Sequence, residues 1–110
     1  MLLFLLLGCA PVDPPPAVAT RSATCVSAPA VTWENWGHGF FLTWCASCHA
    51  ASTPDRRGAP EGVDFETEAD LARWSDRIRA RTLDEHTMPV GGGLYDADLA
   101  LLEVLLTCSR

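Results

Sequence analysis

The stretch GHGFFLTWCASCH, residues 37–49, decides the fold of this chain. In this stretch and just before it, apolar and small residues recur at the spacing of one helical face. Thr32 stands directly before the pattern as a predicted N-cap, so we expect a helix from Trp33 onward. A glycine on that face weakens a helix by up to ~1 kcal/mol, so Gly37 predicts the close approach of another helix. The face consists of Trp33, Gly37, Phe40, Phe41, Trp44 and Cys48.

Two further helices are predicted, each preceded by a long loop. Residues 50–66 contain prolines and glycines and predict a loop, and so do residues 84–94. Thr67, with Asp70 three residues later, predicts the start of the second helix, and Asp96 is the predicted cap of the last. Without any alternating strand pattern, the chain is expected to be all-α. The predicted buried faces are Leu71, Trp74, Ser75 and Ile78, then Leu99, Leu102, Leu105 and Leu106.

The segment Cys45-Ala46-Ser47-Cys48-His49 has the C-x-x-C-H spacing that attaches haem through two thioether bonds. Two cysteines three residues apart at the end of a helix reach the cofactor from one side, and His49 then projects beneath the iron. The sequence therefore predicts one covalent haem c. Such a group would also organise the two loops, which are long for so small a domain.

Two other kinds of site share these cysteines. A zinc site could use Cys45, Cys48 and His49 but needs a fourth ligand, and adjacent Cys48 and His49 fit one tetrahedron poorly. Trp44-Cys45-x-x-Cys48 also resembles the redox dithiol of thioredoxin. That fold places its motif after a buried strand, whereas residues 33–44 have the pattern of an amphipathic helix.

Met88 is the candidate for the second axial ligand of the iron. It precedes Pro89 in a glycine-rich loop, and the only other methionine is Met1. A thioether is a soft, neutral ligand, and Met/His ligation raises the reduction potential of a haem. His86, two residues earlier, is the competing candidate, whereas His38 is expected on the surface of the first helix.

Over about residues 32–107 the chain resembles the class I cytochromes c. Gly37-x-x-x-Phe41-x-x-x-Cys45-x-x-Cys48-His49 is similar to the first helix and attachment site of that family. The resemblance implies a compact three-helix core around the haem, with the first helix crossing the last at Gly37 and Phe41. It also implies that Met88 is the distal ligand and that the carbonyl of Pro60 accepts the proton of His49. Where the family usually has an aromatic residue at the crossing, this chain has Leu105.

The composition excludes one class of partner. The chain has 110 residues and a net charge of −6, with fourteen acidic residues against eight basic ones. Nucleic-acid binding needs clustered positive charge, so we expect no such partner. The negative charge is explained equally well by solubility alone or by a redox partner with a basic docking patch.

The N-terminus predicts export. Residues 1–8 are expected to be the remnant of a signal peptide, and Leu6-Leu7-Gly8-Cys9 resembles the bacterial lipobox, in which the cysteine is acylated. The proline-rich residues 9–31 would then tether a cytochrome c domain, residues 32–110, to a bacterial membrane on the periplasmic side. The alternative is an ordinary signal peptide with a cleavage site that the sequence does not mark.

Each of the five cysteines can then be given a predicted role. With Cys9 acylated and Cys45 and Cys48 holding haem, Cys25 and Cys108 are left, and thiols in an oxidising compartment tend to pair. A bond between them would close a long loop around the domain, for which the chain-entropy account gives roughly 4.5 kcal/mol.

The expected function is one-electron transfer in the periplasm, without catalysis at the iron. The alternative is a haem subunit of an oxidoreductase or a peroxidase-like enzyme, for which His86 would be the only distal acid–base group. A third class is a structural lipoprotein with an empty cysteine pair.

Overall fold

The computed structural model describes residues 23–109, and in this part of the chain it contains helices and no strand. The α-helices are α1 (Ala23–Ser27), α2 (His38–Trp44), α3 (Glu68–Arg79) and α4 (Asp96–Cys108). A π-helical turn, Trp33–Gly37, leads into α2, and a second, Ala80–Asp84, continues α3. The prediction of an all-α fold is confirmed. None of the described helices is long and apolar enough to cross a membrane.

The predicted helix starts at Thr32 and Thr67 are confirmed. The Thr32 hydroxyl accepts a hydrogen bond from the Asn35 amide at 3.1 Å, and the Asn35 side chain accepts one from the Thr32 amide at 2.8 Å. Thr67 and Asp70 form the same reciprocal pair. Each pair satisfies donors that the first turn of a helix leaves without a partner.

The predicted cap of the last helix is wrong by one residue. Asp96 is the first helical residue of α4, and Tyr95 before it has the extended backbone of an N-cap but makes no side-chain cap bond. Asp96 and Asp98 instead place negative charge in the first turn, where it interacts favourably with the helix dipole.

The core is formed where the Trp33–Gly37 turn and α2 meet α4. A Cβ atom at Gly37 would lie 3.0 Å from Leu105 Cδ2 and 3.3 Å from the Trp33 ring, so any larger residue would require these side chains to shift. This is the crossing that was predicted at Gly37 and Leu105. The buried apolar side chains are Val31, Phe40, Phe41, Ala50, Leu71, Ile78, Leu102, Leu105 and Leu106.

Residues 23–31, which belong to the predicted linker, contact the C-terminal part of the chain. Cys25, in α1, forms a disulfide with Cys108 at the end of α4, across a Cα–Cα distance of 5.4 Å. Val31 is buried, and its carbonyl accepts a hydrogen bond from the Ser109 hydroxyl at 3.0 Å. The last part of the predicted linker 9–31 therefore packs on α4, because the disulfide holds it there. The signal peptide remnant, Cys9 and linker residues up to 22 lie outside the described residues.

Candidate functional site

The two free cysteines and His49 lie on one tight turn, residues 45–49, which we call the attachment turn. α2 ends at Trp44, and the amides of Cys45 and Ala46 both donate to the Phe41 carbonyl at 2.9 Å. The Cys45 carbonyl in turn accepts from the amides of Cys48, at 3.2 Å, and His49, at 2.9 Å. The end of the first predicted helix is therefore this turn, which carries both thiols and the imidazole within five consecutive residues.

The thiol of Cys45 is kept in its protonated form. Both cysteines are half-buried and are not joined to each other. Burial, and the nearby Cys48, raise the pKa of the Cys45 thiol to about 12. The reactive cysteine of a thioredoxin-type dithiol has a lowered pKa instead. Together with the absence of strands from residues 23–109, this argues against the thioredoxin alternative.

The imidazole of His49 is held from two sides. Its Nδ1 atom lies 2.8 Å from the Val63 carbonyl oxygen, and its ring centre lies 4.7 Å from that of Phe65. The Phe65 amide also donates to the His49 carbonyl at 2.9 Å, which ties the two residues through their backbones. Because a carbonyl oxygen only accepts, Nδ1 carries a proton in this bond, and Nε2 is the ring nitrogen left to act as a ligand.

The role predicted for the Pro60 carbonyl falls to Val63, three residues later. The Pro60 carbonyl accepts from Arg56 Nη2 at 2.7 Å and from the Val63 amide at 3.2 Å, so it is engaged within its own turn. That turn brings the Val63 carbonyl to the imidazole. The prediction of a backbone acceptor for His49 was right in kind and wrong in residue.

Met88 and His86 differ in their exposure. Met88 is half-buried, and its amide donates to the Arg81 carbonyl at 3.1 Å. His86 is exposed, and its backbone is left-handed, with φ 54°. In the described part of the chain, no hydrogen bond joins Met88 to the attachment turn. The loop that carries Met88, residues 85–95, does reach the end of α2, since a Cβ atom at Gly93 would lie 3.6 Å from the Trp44 ring.

The indole N–H of Trp74 is a buried donor that bears on whether a haem would fit. Trp74 Nε1 is buried and has no hydrogen-bond partner among the described residues, which costs about 1–3 kcal/mol. An indole N–H only donates, so it suits a bound group that carries acceptors, as haem does in its propionates. All four tryptophans are only half-buried, although they pack against the core. The unpartnered indole N–H and the half-buried tryptophans are what a large apolar group with acceptor atoms at its edge would suit.

Two surface clefts lie close to these elements. A cleft of about 430 Å³ borders the attachment turn and is lined in part by Leu42, Ala46 and Phe65. Another, of about 680 Å³, lies between α3 and α4 and is lined in part by Leu71 and Leu106. Neither cleft is lined by His49 or Met88.

The sequence analysis missed three residues of the site. Val63 and Arg56 lie in the segment predicted only as a loop, and Phe65 at its end was assigned no role. No motif marks a carbonyl acceptor or a half-buried arginine, because both depend on how the loop folds back on itself. The glycines and prolines around them were the only signal, and they predict turns without saying what the turns contact.

No group of three or more His, Cys, Asp and Glu side chains within residues 23–109 is arranged to hold a metal ion. The zinc alternative, which needs four ligands, therefore has no ligand set in this range. Comparisons of the chain with protein-family models, with curated proteins and with solved structures find no match. The resemblance to class I cytochromes c rests on the residues of this chain alone.

Proposed function

We propose that this protein is a one-electron carrier that holds one haem c through Cys45 and Cys48, with His49 and Met88 as axial ligands. The observation that carries the proposal is the 2.8 Å hydrogen bond from His49 Nδ1 to the Val63 carbonyl. This bond leaves Nε2 of His49 available as a ligand. His49 directly follows Cys48, and both Cys45 and Cys48 are free and half-buried. A metal-binding histidine typically donates its other ring nitrogen to such an acceptor.

Haem supplies a one-electron couple when it is bound, and the residues of the chain would hold it and orient its ligands. Cys45 and Cys48 hold the group covalently from one turn, which suits a domain with a small core. Val63 and Phe65 keep the imidazole of His49 in one orientation. With His49 and Met88 both retained as ligands, no position is open to a substrate, so we propose a carrier and not an enzyme.

The enzymatic alternative needs a labile distal ligand and an acid–base residue on the distal side. His86 is the candidate that the sequence offers, and its side chain is exposed in a loop. Nothing in the described residues prepares it for that role. The haem subunit of an oxidoreductase complex is compatible with the same residues and differs from a free carrier only in its partner.

The proposal includes a periplasmic location, a lipid on Cys9 and redox proteins as partners. The disulfide between Cys25 and Cys108 supports an oxidising compartment. The net charge of −6 supports a partner with a basic docking patch. The Leu-Leu-Gly-Cys sequence supports acylation at Cys9, after which the multiple acyl chains would hold the protein at the membrane.

The test is an absorption spectrum of the purified protein, followed by haem staining on a denaturing gel. We expect the spectrum of a c-type haem and a stain that survives denaturation. Cys45→Ala with Cys48→Ala should abolish the stain, because both thioether bonds are then lost. The matched control, Cys25→Ala with Cys108→Ala, also removes two cysteines and should keep it. A wild-type protein without haem, or a stain that survives the loss of Cys45 and Cys48, would refute the proposal.

A further inference from the structure

Arg56 is the most densely bonded side chain of the loop that follows the attachment turn. Its guanidinium donates five hydrogen bonds, all to acceptors within residues 50–64 and at distances from 2.7 to 3.2 Å. A loop has carbonyls without helical partners, and a planar guanidinium with five N–H donors can satisfy several of them at once. The acceptors are the carbonyls of Ala50, Ala59, Pro60 and Val63, and the carboxylate of Asp64.

The charge of Arg56 is balanced locally and partly removed from water. Arg56 Nη1 lies 2.7 Å from Asp64 Oδ1, and each of the two side chains is only 18% exposed. At this exposure the pair is much less screened by salt than a surface ion pair. A guanidinium held in this way stays where its hydrogen bonds place it.

One of its acceptors is also the acceptor of His49. The Val63 carbonyl oxygen lies 2.8 Å from His49 Nδ1 and 3.1 Å from Arg56 Nη2. A carbonyl oxygen has two lone pairs, so both donors can be accommodated. The cationic guanidinium draws electron density from that oxygen, however, which makes it a weaker acceptor for the imidazole proton.

We propose that Arg56 is a positioning residue that weakens the His49–Val63 hydrogen bond and thereby raises the reduction potential of the iron. The inference rests on the proposed function. A strong bond from Nδ1–H makes the imidazole a more basic ligand, which favours the ferric state. By sharing the Val63 carbonyl, Arg56 limits this effect and favours the ferrous state. Hydrogen bonding around the ligands is one of the means by which a protein tunes a haem.

The test compares Arg56→Gln with Arg57→Gln and Asp64→Asn in the haem-loaded protein. Arg57 is exposed, and its side chain makes no hydrogen bond or ion pair with the described residues, so its variant removes the same charge next to Arg56. Two quantities are measured in each variant. They are the reduction potential and, in the ferrous protein, the NMR shift of the His49 Nδ1 proton.

In Arg56→Gln the Val63 carbonyl should become a stronger acceptor. We expect the Nδ1 proton to move downfield and the ratio of reduced to oxidised protein at fixed potential to fall at least threefold. Threefold corresponds to about 28 mV, at 59 mV per tenfold change for a one-electron couple. Asp64→Asn leaves the guanidinium charge without its counterion, so both quantities should move the opposite way. Arg57→Gln should leave the proton shift unchanged.

Three outcomes would overturn the inference. If Arg56→Gln lowers the potential without moving the Nδ1 proton, Arg56 acts only as a nearby charge. If Arg56→Gln and Asp64→Asn both move the Nδ1 proton upfield, speed its exchange and shift the potential in one direction, the ion pair is only a scaffold for the loop. If the wild-type protein holds no haem, the proposed function fails and the inference falls with it, whereas the first two outcomes leave that function intact.

Discussion

The two loops that carry the candidate ligand environment are built in opposite ways. In the loop of residues 50–66, which we call the histidine loop, Arg56 is 18% exposed and makes five hydrogen bonds. In the loop of residues 85–95, the methionine loop, the nearest arginine is Arg81. It is 48% exposed, and its side chain reaches Glu85 and Thr87 only at 3.4 Å.

The backbone of the methionine loop is also less tightly held than that of the histidine loop. His86 and three successive glycines, Gly91, Gly92 and Gly93, have positive φ angles, and Val90 and Tyr95 are largely exposed. Its ordering bonds are few, chiefly the amides of Thr87 and Met88 that share the Arg81 carbonyl. The chain therefore fixes the surroundings of His49 by itself, whereas Met88 lies in a loop with few such bonds, and on the proposed function the haem would complete its surroundings. A region with few buried contacts and exposed backbone opens most easily.

The largest effect on the methionine loop is expected from Met88→Ala. We expect complete loss of the sulfur-to-iron charge-transfer band at the red end of the ferric spectrum, with the haem still attached. The reduction potential should fall, because a thioether ligand raises it. His86→Ala is the matched control and should change neither. If instead His86→Ala alters the ligation and Met88→Ala does not, the axial ligand is the other residue of this loop.

The reactivity of Cys45 in the haem-free chain tests whether the attachment turn forms without its cofactor. A pKa raised from 9.0 to about 12 lowers the thiolate fraction at pH 8 roughly a thousandfold, and thiolate is the reactive form. Alkylation of Cys45 should therefore be slow and should speed up as the pH rises, since the thiol is protonated below its raised pKa. Mass spectrometry of the labelled peptides measures this.

Urea provides the control for that experiment, because unfolding removes the burial that raises the pKa. The labelling rate of Cys45 in urea should be that of an ordinary thiol. Cys48→Ala removes the second cause of the raised pKa and should speed the labelling of Cys45 in the folded chain. Equal, fast labelling with and without urea would show that the histidine side of the site is no better prepared than the methionine side.

Removal of the disulfide should affect both loops equally, because it acts on the whole domain. Cys25 and Cys108 are separated by 83 residues in sequence. Loss of such a bond from a small exported domain typically costs about 2–5 kcal/mol in the free energy of unfolding. Chemical denaturation of Cys25→Ala with Cys108→Ala should show this loss, and the charge-transfer band should persist in the folded protein. Unchanged stability would mean that helix packing and haem alone hold the ends together.

The smallest effect is expected at the helix crossing. Gly37→Ala places a Cβ atom 3.0 Å from buried Leu105 and should destabilise the fold by about 1 kcal/mol, after the gain in helix propensity is subtracted. Gly39→Ala, in α2, meets nothing within 4 Å and should stabilise by up to ~1 kcal/mol. Thermal unfolding measures both. Equal stabilisation at the two positions would show that the helix crossing can accommodate a Cβ atom at residue 37 without a steric cost.

Much of the fold was predictable because it depends on local signals. Thr32 and Thr67 are helix caps that act within three residues, and the apolar period places Phe41, Leu71 and Leu102 on buried faces. The helix α1 was not predicted, since five residues of mixed composition have no period of their own. It packs on α4 with which it shares the disulfide.

The sequence by itself determined which residues the attachment turn offers, because the spacing of Cys45, Cys48 and His49 is a property of five consecutive residues. Only the tertiary structure decided what surrounds the imidazole. Val63 lies fourteen residues from His49 along the chain, and its carbonyl reaches Nδ1 because the histidine loop folds back around Arg56. Every residue has a carbonyl, so no sequence pattern distinguishes the one that accepts. The choice is made by the loop's need to satisfy its buried polar groups.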